Sequence, residues 1–215
     1  MSTLKLTGSS SGNAQVTVAA AAGTPTITLP TASINLATAG SDGQFLKTDG
    51  SGTLSFATVD SGLTYADQWR VTSTWSGGQE PLQNNWERVD SSGQGTIGAT
   101  MAVSSGIWTF PATGVWWVEF CCGAGHSGDV RYAQLDLAVT TNNSSYADIG
   151  WGVFNMFDES GDVYGSAKVS SLVDVTDTAN VKVRLGVQSN SGSLTFQGGT
   201  SLNMTYVTFI RLGDT

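Results

Sequence analysis

Apolar and polar residues alternate along most of the chain with a period of two, the signature of half-buried β-strands. The clearest run is Val115-Trp116-Trp117-Val118-Glu119-Phe120-Cys121. Trp116, Val118 and Phe120 fall on one face of such a strand, and Val115, Trp117 and Glu119 on the other. Val130 to Val139 repeats the pattern, with Leu135, Leu137 and Val139 on one side. Further strands are predicted over 69–75, 95–103, 107–110, 149–156, 163–173, 181–187, 194–196 and 204–212. About eight to ten strands separated by Gly, Ser, Asn and Asp turns predict two antiparallel sheets. No strand–helix–strand alternation is visible, which argues against a doubly wound fold.

The first 60 residues differ. Ala14 to Ala19 and Thr24 to Leu29 alternate, and Pro30 closes the second run. Gln44 to Lys47 and Thr53 to Phe56 flank the turn Thr48-Asp49-Gly50-Ser51-Gly52, which predicts a hairpin. This region has no Trp, Tyr or Cys, and too few large apolar residues for a core of its own. Its short strands need partners, and other copies of the same segment are the natural ones. The division predicted is residues 1–60 as a β-rich stem and residues 61–215 as a head.

Composition strengthens the all-β reading. Charged residues make up only 12 % of the 215, too few to cover exposed helix faces, while Gly, Ser and Thr number 27, 26 and 27. Seven Trp and 40 % hydrophobic residues argue against disorder throughout. The net charge is −8, of which −7 falls in residues 61–215 (14 acids against seven bases). Such a surface repels phosphate, so nucleic acid and anionic membrane are poor partners. No stretch approaches 18 apolar residues, and no basic segment followed by an apolar run marks a signal peptide. Cys121 and Cys122 are adjacent and face opposite ways on a strand, so no disulfide framework is expected and a reducing cytoplasm suits synthesis.

Candidate chemistry is sparse. His126 is the single histidine, in the Gly-rich run 123–129 that reads as a loop, so a Ser-His-Asp triad or a multi-His metal site has at most one base. Two adjacent cysteines and one histidine cannot make a good zinc site. Asp158, Glu159 and Asp162 cluster in what reads as an acidic turn, and whether Asp158 and Asp162 bind Ca²⁺ is left open. Asp174 and Asp177 read as turn acids as well. No phosphate-binding Gly motif is present. The expectation is no enzyme, no cofactor and no metal. The tryptophans say more. Trp116 and Trp117 are adjacent and face opposite ways on a strand, so one lies in the core and the other must be buried by something else. Trp75 and Trp86 flank a turn-rich loop with Asn84 and Asn85, an arrangement that could stack on and hydrogen-bond a glycan.

Two resemblances extend this reading. Leu4-Lys5-Leu6-Thr7-Gly8, Thr26 to Pro30 and Gly43-Gln44-Phe45-Leu46-Lys47-Thr48-Asp49-Gly50-Ser51-Gly52-Thr53-Leu54-Ser55-Phe56 resemble the stem of bacteriophage fibre proteins, those of marine bacteria and cyanobacteria above all. The run Phe110-Pro111-Ala112-Thr113-Gly114-Val115-Trp116-Trp117-Val118-Glu119-Phe120 resembles the C1q/tumour-necrosis-factor-like jelly roll, with Gly114, Trp116, Val118 and Phe120 on that family's spacing. Val118 departs from its usual Phe, and its usual Gly-Phe close is missing. The resemblances imply an intertwined β-stem followed by a jelly-roll head, assembled as a homotrimer, with Trp116 in the motif row of the core and Trp117 at the subunit interface. They imply a virion protein, a tail fibre or spike, made in the host cytoplasm. Residues 1–60 would attach to other virion proteins, and the head would bind a host-surface glycan or protein. A capsid head fibre or tail connector is the alternative, and a polysaccharide depolymerase a more distant one.

Overall fold

The structure is a computed structural model that describes residues 41–50, 54–58, 62–83, 85–126, 130–157, 161–192 and 194–215. The strands predicted over 14–19 and 24–29 lie outside the described residues. The chain divides into two compact units, Met1–Ser61 and Gly62–Thr215.

In the first unit, β1 (Gln44–Thr48) and β2 (Leu54–Thr58) form an antiparallel hairpin, with Leu46 opposite Phe56 and Phe45 opposite Ala57. Phe45, Leu46 and Phe56 are exposed, so both hairpin faces carry apolar side chains. Two strands alone are marginal in water.

Among the described residues, the second unit is a sandwich of two antiparallel sheets built from twelve strands. They are β3 (Ala66–Val71), β4 (Trp75–Ser76), β5 (Trp86–Arg88), β6 (Ala102–Ser104), β7 (Ile107–Thr109) and β8 (Gly114–His126). They continue with β9 (Val130–Thr140), β10 (Ala147–Met156), β11 (Val163–Val175), β12 (Lys182–Ser189), β13 (Thr195–Phe196) and β14 (Thr205–Gly213). The first sheet is organised on β8. One edge of β8 pairs with β11 along its whole length. The other edge pairs with β14 and then, near its end, with β13. Beyond β14 the sheet continues through β3 to β5, and beyond β13 to β4. The second sheet runs β10-β9-β12-β7-β6.

The core between the sheets is aromatic. Trp116, Val118 and Phe120 point inward and are fully buried, as their alternation predicts. Trp108 lies at the centre, edge-to-face against Trp69 and Trp86 at ring distances of 5.5 and 5.2 Å, and tilted on Phe209 at 5.1 Å. Phe110 packs on Trp116 at 5.2 Å. Leu135, Leu137, Val183, Leu185 and Val187 close the core from the second sheet. The inward-facing acid Asp67 is almost fully buried and amply partnered. It accepts from Arg88 Nε at 2.7 Å, Trp69 Nε1 at 2.9 Å, Thr100 Oγ1 at 3.0 Å and the Met101 amide at 2.7 Å.

Among the close approaches that glycine permits, two shape the sheets. At Gly114, where β8 begins, φ is +133°, and a Cβ there would sit 2.4 Å from the Gly213 carbonyl oxygen. On β10, Gly150 and Gly152 face inward, and a Cβ at Gly152 would meet the Lys168 carbonyl at 2.5 Å. The edge strands of the two sheets therefore nearly touch along β10 and β11.

Several expectations need correction. The strand predicted over 69–75 is β3 alone, which ends at Val71, and Trp75 belongs to β4. Residues 95–101 are not a strand; Ile97 makes a single bridge to Ala66. The 123–126 stretch is not a loop, because β8 continues to His126, paired with Val163. Pairing on both edges of β8 outweighs the low strand preference of Gly123 and Gly125. Asp174 lies in β11, not in a turn, with its side chain exposed.

Candidate functional site

The outward face of the first sheet carries one apolar row. Ala66, Ile210, Trp117 and Leu172 stand in register across β3, β14, β8 and β11. Trp116 is wholly buried on the other face of β8, so its neighbour Trp117 must turn outward, where it is half-buried. Leu172, directly opposite it, is 61 % exposed. The next row is polar: Gln68, Thr208, Glu119 and Ser170. Gln68 Nε2 donates to Thr208 Oγ1 at 2.7 Å, and Lys168 Nζ reaches across to Glu119 Oε1 at 3.1 Å. The third row is Arg70, Tyr206, Cys121 and Lys168. Arg70 is fully buried under Glu87, Asp90 and Ser91, which accept from its guanidinium at 2.7–2.8 Å. Lys168 is held above its usual pKa, chiefly by the Glu119 and Tyr206 hydrogen bonds. Beyond it, a groove of about 360 Å³ is lined by Gly123, Ala124, Tyr164, Gly165, Gln197 and Met204, among others.

Both cysteines are free and buried. Burial pushes the Cys122 thiol up to about 12, against a hydrogen bond with Thr205. Burial also raises Cys121, with the Tyr206 hydrogen bond pulling the other way. Neither is an activated thiolate. Half-buried His126 ends β8. Among the described residues, no three His, Cys, Asp or Glu side chains gather to hold a metal ion. Asp158 and Glu159 lie outside the described residues, and Asp162 is exposed. Among the described residues, no helix is long and apolar enough to cross a membrane.

The structure places the Trp75–Trp86 pair against the core. Trp75 stacks on Phe196 at 5.1 Å, and its indole nitrogen is buried. Trp86 packs on Trp108 and donates from Nε1 to the Leu82 carbonyl at 3.2 Å. Asn85 is exposed, and Asn84 lies outside the described residues. The exposed tryptophan is instead Trp151, on the outward face of β10 with 64 % of its surface open and Val153 beside it. Sequence reasoning missed it, although a signal was there. In Gly150-Trp151-Gly152-Val153, glycines alternate with large apolar residues, so the face that must pack closely is the glycine face.

With this topology in view, comparison with solved structures decides the fold. Murine APRIL at pH 5.0 matches with a TM-score of 0.50 at 9 % identity, covering 69 % of this chain and 98 % of that one. The TNF named Eiger from S. frugiperda matches with a TM-score of 0.52 at 14 % identity, covering 71 % and 95 %. The second unit has the fold of a C1q/TNF-like jelly roll. No family model matches the chain, and no curated protein matches it. At these identities the likeness concerns the fold alone. The Gly114-to-Phe120 run stands in this jelly roll as an inner strand of its first sheet, next to the edge strand β11 and paired on both edges.

Proposed function

We propose that the chain is a structural protein of a bacteriophage virion, a homotrimeric fibre or spike whose head binds a host-surface glycan or protein. The observation that carries the assembly is the apolar row Ala66–Ile210–Trp117–Leu172 on an outward sheet face. A half-buried Trp on β8 beside an exposed Leu on the edge strand β11 is surface that a second copy would remove from water. The hairpin β1–β2, apolar on both faces, asks for the same kind of partner. The virion setting rests on the resemblance of Gly43 to Phe56 to phage fibre stems, with residues 1–60 as the attachment segment. The role is binding, without catalysis: Cys121 and Cys122 are buried neutral thiols, and the described acids are held in ion pairs, lie exposed on strands and turns or, as Asp136, are buried under Gln134 and Gln188.

Solution mass tests the reading. Light scattering on the purified full chain is expected to give three times 22.3 kDa. A stable monomer would overturn the assembly. Immunogold labelling of the virion tests the location, and label on no part of the particle would overturn the virion role.

A further inference from the structure

The outward face of the second sheet, on the other side of the sandwich from the Trp117 row, carries a different surface. Trp151, Asp136 and Gly186 stand in register across β10, β9 and β12. The neighbouring row is Val153, Gln134 and Gln188. Trp151 and Gly186 are two strand spacings apart, about 10 Å. Gly186 has no side chain to fill this span, and Glu80 lies over it, 3.0 Å from where a Cβ would be.

The polar groups here are held in place. Arg184 Nη2 donates to Glu80 Oε1 at 2.8 Å. Gln188 Nε2 donates to Asp136 Oδ2 at 2.8 Å and to Glu80 Oε2 at 3.3 Å. Asp136 itself is buried. The Glu80 segment is fixed to β12 by backbone bonds from Gln79 to Val187 and from Leu82 to Leu185. On its far side, Gln79, Glu80, Pro81 and Gln83 line a polar cavity of about 460 Å³.

From this juxtaposition we infer that the β10–β9–β12 face, from Trp151 across Gly186 to Glu80, is a binding site for a neutral hexose oligosaccharide. The inference deepens the reading of the head as a host-binding module and rests on it. An exposed indole beside fixed carboxylate and carboxamide groups matches the two halves of a pyranose. The C–H face stacks on the ring, and the hydroxyls donate to carboxylate oxygens or accept from amide and guanidinium hydrogens. A protein partner is a poorer fit, because covering Trp151 with apolar surface would dehydrate Glu80 and Arg184 without replacing their water. Sugar hydroxyls replace it. Charge selects the class: Glu80, Asp136 and exposed Asp148 outnumber the two cations of this face, Arg184 and Lys182, so carboxylated, sulfated and phosphorylated glycans are disfavoured. The two-spacing reach across the glycine floor accommodates more than one sugar ring.

The test is saturation-transfer NMR on the full chain with maltotriose, cellotriose and mannotriose as neutral probes and trigalacturonate as the anionic one. Light scattering is run on every sample. At least one neutral trisaccharide is expected to bind at millimolar concentration through its ring C–H protons, and trigalacturonate is expected not to. Trp151→Ala removes an exposed side chain, so it is expected to leave the mass unchanged and weaken binding at least about tenfold. Glu80→Gln is expected to weaken it to a similar degree. The inference is overturned if no neutral probe binds, if Trp151→Ala binds as well as the parent, or if trigalacturonate binds equally. A Trp151→Ala chain that loses its assembly would mark the face as a subunit contact and overturn it too. A native chain that is monomeric yet binds sugar would instead sink the trimer and leave this site standing.

Discussion

Cys121 and Cys122 are adjacent in sequence and live in different surroundings. Cys122 is a core thiol whose burial raises it to about 12; Cys121 sits under Tyr206 on the outward face and is raised as well. At pH 8 a thiol with that pKa is ionised to about one part in ten thousand. Ellman's reagent is therefore expected to find almost no reactive thiol in the native chain and two in guanidinium; fast native reaction at either would contradict the burial. The same shift has a linkage consequence. Well below pH 9, at pH 7 and under, the thiols are neutral in folded and unfolded chain alike, and stability is full. Between pH 9 and about 12 the unfolded chain loses the Cys122 proton and the folded one keeps it, so stability falls. The guanidinium midpoint is expected to drop between pH 8 and 10.5, and to drop less in Cys122→Ala.

The strand β8 shows both what alternation reveals and where it stops. Its register could be read from Trp116, Val118 and Phe120, because one buried face fixes every second residue. Its end could not, because composition marks 123–129 as a loop and only pairing with β11 and β13 keeps it extended to His126. Trp75 and Trp86 illustrate a second limit. Flanking polar residues suggest exposure, but whether a ring is covered depends on partners far along the chain, Phe196 and Trp108. Strand β5 is three residues long and too short to carry a period at all. The start of β8 was legible in the alternation that begins at Val115, and the structure adds that Gly114 just before it has a backbone angle that side chains disfavour. Gly114→Val is expected to destabilise the head by about 2–4 kcal/mol in a denaturant titration. Gly95→Ala, with open space around it, is expected to stay within about 0.5 kcal/mol. Equal effects would mean that the β8 entry is not under steric demand.

For the whole molecule, the outward faces of the sandwich have opposite characters. The first sheet offers an apolar row bordered by paired polar groups, and the second an aromatic next to fixed hydrogen-bonding groups. An assembly held by Trp117, Ile210 and Leu172 depends on water exclusion more than on charge. Its mass is expected to hold between 50 mM and 1 M salt, since apolar contacts are not screened. Trp117→Ser combined with Leu172→Ser is expected to yield a folded monomer with unchanged far-ultraviolet dichroism. A mass that falls with salt, or a double variant that stays trimeric, would move the interface to other residues.

The two ends of the head run side by side. Ala66 pairs with Ile210, and Arg211 donates its amide to the Tyr65 carbonyl and its guanidinium to Thr64 Oγ1. The fold is entered and left through one doorway, at a single corner of one sheet. A module built this way can be spliced into a surface turn of another protein, or have its entrance and exit joined and new ones cut elsewhere, without rerouting a single strand.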